Sequence, residues 1–120
     1  MNSKLRVLLV EDEPLITFFF QDILDGTEFS VDAVMTCSGP VLRHLDANIP
    51  DVAVVDLILE DGSCMHVIER LLELKVPTVV VSGHSDAEAF ADRDGASFVA
   101  KPFQSEALLR VLRAMVASPV

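Results

Sequence analysis

The chain has 120 residues, a formal net charge of −10 at pH 7, 51% hydrophobic residues and 23% charged residues. That length accommodates one domain, residues 1–120, around one core, and the composition is that of a folding chain. The negative field repels phosphate backbones and anionic lipid surfaces, which argues against direct nucleic-acid binding and against membrane association. No apolar run reaches spanning length, and Glu11, Asp12 and Glu13 interrupt the N-terminal apolar stretch too early for a signal peptide. The expected compartment is the cytoplasm. Cys37 and Cys64 lack metal-ligand spacing and read as reduced thiols.

Taken in chain order, Leu5–Val10 predicts a first strand and Pro14 opens a first helix, where a missing N–H costs nothing. Ile16, Phe19, Phe20, Ile23 and Leu24 recur at helical spacing as its core stripe, and Gly26 stops it. Strands are then expected at Phe29–Met35, Val52–Val55, Thr78–Val81 and Ser97–Ala100. Helices are expected at about Val41–Leu45, Val67–Leu74, Asp86–Arg93 and Leu108–Val116, the last with Ser105 as N-cap. Several strands are nearly continuous branched-aliphatic runs, the mark of a parallel sheet buried on both faces. Five βα units are too few for an eight-stranded barrel of about 250 residues, so an open, doubly wound α/β sheet remains, with flavodoxin-like strand order 2-1-3-4-5.

In that order the sheet changes direction between its first and third strands, and ligands bind outside the carboxyl ends of the strands at that point. Glu11 and Asp12 follow the first strand, and Asp56 follows the third. Three converging carboxylates repel one another and call for a cation; with no His or Cys ligand nearby, hard oxygen donors suit Mg²⁺. Three separately solvated carboxylates are the alternative. Lys101, ending the fifth strand, could offset one of these charges, and Ser82, ending the fourth, offers a hydroxyl donor. Read singly, Lys101 is an ordinary surface lysine and Ser82 a turn residue.

Together the pieces carry a resemblance. Val7-Leu-Leu-Val-Glu-Asp-Glu-Pro14, Asp51-Val-Ala-Val-Val-Asp56-Leu, Ser82-Gly83 and Gly95-Ala-Ser-Phe-Val-Ala-Lys101-Pro-Phe103 are similar, in order and spacing, to the receiver domain of bacterial two-component response regulators. The resemblance implies that Asp56 takes a phosphoryl group from a phosphohistidine to become 4-aspartylphosphate. It implies Mg²⁺ held by Asp12 and Asp56, by Glu11 through a water, and by the Ile58 backbone carbonyl. It further implies that Lys101 binds a phosphoryl oxygen across a cis Lys101-Pro102 bond. Ser82 would be drawn to the phosphate, reshaping the loop after the fourth strand and the fourth helix. No separate turnover substrate is expected.

Several residues depart from the family's usual pattern. Glu60 stands where a Pro is frequent, and Phe98 where many members carry Tyr, so a hydroxyl-bonded aromatic switch is excluded; plain strand packing is the alternative for Phe98. Ile58 and His84 take the positions that line the path of hydrolytic water, with an exposed loop residue as the alternative for His84. Leu15 and Phe18 lie off the core stripe of the first helix as neighbours, and are expected to dock a histidine kinase or a histidine phosphotransfer protein. If the chain is complete, the expectation is a stand-alone receiver acting by protein contact; if it is a fragment, an effector module follows Val120. An aspartate-nucleophile phosphatase would want an acid where Ile58 stands. A nucleotide or flavin binder would want a Gly-rich loop where Glu11-Asp12-Glu13 stands. An unphosphorylated receiver-like scaffold is disfavoured by the intact set of site residues.

Overall fold

Branched aliphatic runs with no intervening turn residue become the strands of a single parallel sheet. The computed structural model of the chain describes residues 4–35, 38–56, 58–59, 62–83, 95–101 and 103–116. Its elements run β1 (Leu5–Val10), α1 (Pro14–Leu24), β2 (Phe29–Met35), α2 (Ser38–Ala47) and β3 (Val52–Asp56). After these come the two-residue strands β4 (Ile58–Leu59) and β5 (Gly62–Ser63), then α3 (Met65–Glu73), β6 (Thr78–Ser82), β7 (Ala96–Ala100) and α4 (Ser105–Val116). The main sheet has the order β2-β1-β3-β6-β7, all neighbours parallel, which is the flavodoxin-like order 2-1-3-4-5. β4 and β5 pair antiparallel as a small hairpin beside it.

Side chains alternate across the sheet and divide the core in two. Val7, Leu9, Val52, Val54, Val79 and Val81 face a layer closed by Phe20, Ile23 and Leu24 of α1 and by Leu108 and Leu112 of α4. Leu8, Val10, Ala53, Val55 and Val80 face the other, closed by Val41 and Leu45 of α2 and by Val67, Ile68 and Leu71 of α3. β3 and β6 are buried along their whole length. This explains why they read as unbroken Val-rich runs with no polar face.

The structure departs from the periodicity at several places. In α1 only Phe20, Ile23 and Leu24 are buried, Ile16 is half-buried, and Phe19 is 38% exposed. Phe19 sits at the flank of the stripe, where its ring meets Phe20 and Phe103 at centroid distances of 6.5 and 5.8 Å. α2 starts at Ser38, ahead of Val41, with Pro40 in its first turn, where an N–H has no intrahelical acceptor. Ser105 is the first residue of α4 and not its cap: the Gln104 carbonyl accepts from the Leu108 N–H and takes that place. Cys64 is buried. Residues 86–93, expected as the fourth helix, lie outside the described residues, as do Cys37, Glu60, His84 and Pro102 with its peptide bond to Lys101.

α3 ends without glycine. Lys75 adopts φ 64°, its N–H donates to the Leu72 carbonyl, and the Val76 N–H donates to the Leu71 carbonyl. These are the two bonds of a Schellman cap, with the apolar pair Leu71 and Val76 buried together as that motif favours.

Candidate functional site

Strand register delivers the candidate residues to one rim. Val10 lies opposite Val55, so the chain leaving β1 places Glu11 and Asp12 beside Asp56 at the end of β3. Asp56 lies opposite Val81, which brings Ser82 alongside. Ser82 in turn lies opposite Ala100, and the Lys101 N–H donates to the Ser82 carbonyl at 3.0 Å. On the outer side, the Glu11 N–H continues the β1–β2 pairing by donating to the Met35 carbonyl at 3.0 Å.

Carboxylate oxygens of Glu11, Asp12 and Asp56 lie within 4.8 Å of one another. Glu11 is 2% exposed and Asp56 8%, so the repulsion is poorly screened, about 3 kcal/mol per charged pair at an effective dielectric of 20. Lys101 answers part of it. Its Nζ donates to Asp56 Oδ2 at 2.9 Å and lies 3.6 Å from Glu11 Oε1. Burial alone would lower the Lys101 pKa, but the hydrogen bond and charge of Asp56, with the charge of Glu11, hold it above its ordinary value. Glu11 is pushed up from 4.5 to about 7, first by burial and then by the charge of Asp56. Lys101 and a hydrogen bond from the Glu13 N–H at 3.3 Å counter only part of that rise.

The donor set is three hard oxygens from three side chains, with no nitrogen or sulfur ligand among the described residues of the cluster. It fits a small divalent cation that keeps waters of its own, such as Mg²⁺. The Ser82 side chain is buried at the same rim, 2% exposed. Ile58 opens β4 just past the cluster. Phe98 is half-buried on β7 and packs against the α2–α3 core layer, as a packing residue does.

Leu15 and Phe18 are 78% and 70% exposed on α1, which leaves the same rim. Beside Phe18 a groove of about 290 Å³ runs between α1 and β2, walled by Pro14, Thr17, Gln21 and Val34 and reaching Glu11 and Asp12. Sequence reading missed that groove, although Thr17 and Gln21 stand one helical turn apart and so had to share a wall. It also missed Phe103, whose ring joins Phe19 and Phe20 at 5.8 and 5.5 Å and anchors the chain just beyond Lys101 to α1.

Residues 7–113 match the family model described as the response regulator receiver domain. Among curated proteins, the chain is 31% identical over 111 residues to the nitrogen assimilation regulatory protein NtrX of Azorhizobium caulinodans, covering 86% of this chain and 24% of that protein. It is 33% identical over 113 residues to the KDP operon transcriptional regulatory protein KdpE of Escherichia coli, covering 88% of this chain and 50% of that one. The chain thus spans half or less of the length of these two relatives. Among solved structures, SdrG from Sphingomonas melonis Fr1 superposes with a TM-score of 0.79 at 28% identity, covering 97% of this chain and 99% of that one. The receiver domain of the PhyR response regulator from Erythrobacter litoralis has the same fold, with a TM-score of 0.84 at 21% identity over 98% of this chain and 96% of that one.

Proposed function

Because the chain belongs to the response regulator receiver domain family, we propose that Asp56 accepts a phosphoryl group from a phosphohistidine on a partner protein. A histidine kinase or a histidine phosphotransfer protein supplies it, and the protein passes the signal on by a change of surface. The observation that carries this reading is the contact of Lys101 Nζ with Asp56 at 2.9 Å, inside an all-oxygen cluster of buried acids.

Phosphoryl transfer asks a protein chiefly for position and for charge compensation. An Asp56 carboxylate oxygen attacks phosphorus as the P–N bond of the phosphoimidazole breaks, and the departing imidazole takes up a proton. Lys101, already against the nucleophile, follows the new phosphoryl oxygens, and the Ser82 hydroxyl donates to another. Glu11, Asp12 and Asp56, with the Ile58 carbonyl, would hold Mg²⁺, which when bound supplies the positive charge that lets an anionic phosphoryl group approach. The residues that orient the reaction are thus the chain's own, with no separate turnover substrate. Among the described residues no helix is long and apolar enough to cross a membrane. A cytoplasmic site of action belongs to the same proposal.

Incubation with Mg²⁺ and acetyl phosphate, followed by intact mass and peptide mapping, tests the reading. A single phosphoryl adduct on the peptide holding Asp56 is expected, absent in Asp56→Ala and in EDTA. An adduct elsewhere, or one that survives Asp56→Ala, defeats it.

A further inference from the structure

From the ring contacts just beyond β7 we infer that Phe103 is a positioning residue for phosphoryl transfer: its ring, seated on α1, sets how far the backbone of Lys101 leans over the rim toward the acids. The role in transfer rests on the phosphoacceptor reading above; the placement of Lys101 does not. β7 is an edge strand, and in the order β2-β1-β3-β6-β7 it stands two strands from β3, which ends in Asp56, and three from β1, which leads into Glu11. At strand spacings of about 4.8 Å those separations are about 10 and 14 Å. An extended lysine stem covers about 6 Å. Contact with Asp56 at 2.9 Å and approach to Glu11 at 3.6 Å therefore use most of the reach of the side chains, and the backbone at residue 101 decides whether both are met.

That backbone is fixed toward β6 by the Lys101 N–H, which donates to the Ser82 carbonyl at 3.0 Å. Past it the sheet has ended at Ala100, and α4 begins only at Ser105. Phe103 supplies the hold on this stretch. Its ring lies 5.5 Å from that of Phe20 and 5.8 Å from that of Phe19, tilted by 37° and 44°, a geometry that attracts beyond simple burial. Phe20 is 1% exposed and so a fixed seat. The chain enters α1 directly after Glu11 and Asp12, so the ring registers the lysine against the element that follows two of the acids. At the opposite end of the sheet, Arg113 Nε and Nη2 donate to Glu28 at 2.8 and 2.9 Å, tying α4 to the start of β2. That pair also holds α4 in place but touches nothing at the rim, which makes it the control for packing alone.

Labelling of the full chain by acetyl phosphate and Mg²⁺, followed by intact mass, tests this in two backgrounds. Phe103→Leu keeps an apolar side chain without the ring and should slow labelling about tenfold in the parent. In Lys101→Met the same change should alter the rate less than about twofold, because the group it positions is gone. Phe103→Tyr, which retains the ring, should label within about twofold of the parent, and Arg113→Gln should label at the parent rate. NMR of the Lys101 ε-methylene in EDTA, assigned by its loss in Lys101→Met, gives a readout without phosphate: it should shift in Phe103→Leu and stay in Arg113→Gln. Equal slowing in both backgrounds, equal slowing by Arg113→Gln, or an unmoved ε-methylene in Phe103→Leu would each overturn the inference. An unlabelled parent removes the phosphoacceptor reading instead, and the ε-methylene signal then decides by itself whether Phe103 places Lys101.

Discussion

Lys101 sits between two acids that burial would otherwise set against each other, and its loss should be felt before any phosphate is present. Lys101→Met leaves Asp56 and Glu11 with no lysine against them, a defect of about 1–3 kcal/mol in urea unfolding with EDTA, partly repaired by Mg²⁺. Labelling of Asp56 by acetyl phosphate should slow as well; unchanged stability in EDTA would mean that the contact carries no weight. Glu11 adds a pH dependence. Its carboxyl titrates near 7 in the folded chain, against 4.5 when unfolded, so the folded state holds a proton that the unfolded state has released. That contribution is whole below pH 4.5 and is lost as pH rises through 7. Metal-free protein should therefore become less stable across that window, and Glu11→Gln should flatten the profile of urea midpoints.

At the scale of an element, the cap of α3 illustrates a cost carried by one side chain. Lys75 holds a left-handed backbone that favours glycine, so Lys75→Gly should stabilise the protein by about 1 kcal/mol in urea unfolding. The Schellman bonds would stay intact, and a destabilised variant would refute that account. Gly95, at φ 87°, has no such latitude, because a Cβ there would meet Leu72 Cδ2 at 3.3 Å. The strands were legible because burial on both faces demands unbroken apolar runs such as Val52–Val55, and the ends of four strands located Glu11, Asp12, Asp56, Ser82 and Lys101 on one rim. The β4–β5 hairpin was not legible, since two-residue strands have no period to detect. The exposure of Phe19 depends on Phe103, a residue far away in sequence, and no local pattern encodes that meeting.

Over the whole molecule the two ends of the sheet treat charge in opposite ways. At the amino end, the Arg6 N–H donates to Asp51 Oδ2 at 2.7 Å, while its guanidinium donates to the Ile49 carbonyl and approaches Asp32 at 3.8 Å. There one cation ties β1, β2 and the approach to β3 together. At the carboxyl end three acids gather, and Lys101 contacts two of them, Glu11 and Asp56. A divalent ion should therefore stabilise the entire fold: at a free Mg²⁺ concentration a hundredfold above its dissociation constant, about 2.7 kcal/mol, or roughly 10 °C in Tm. Asp12→Asn/Asp56→Asn should lose that rise, and a melting curve indifferent to Mg²⁺ in the parent would count against a metal at this rim. The phenyl rings of Phe19, Phe20 and Phe103 add a mechanical link between the two sides of that rim. Because they pack the first helix against Phe103, two residues past the lysine that carries the ammonium, a push on the helix from outside would travel through three mutually tilted rings toward that lysine.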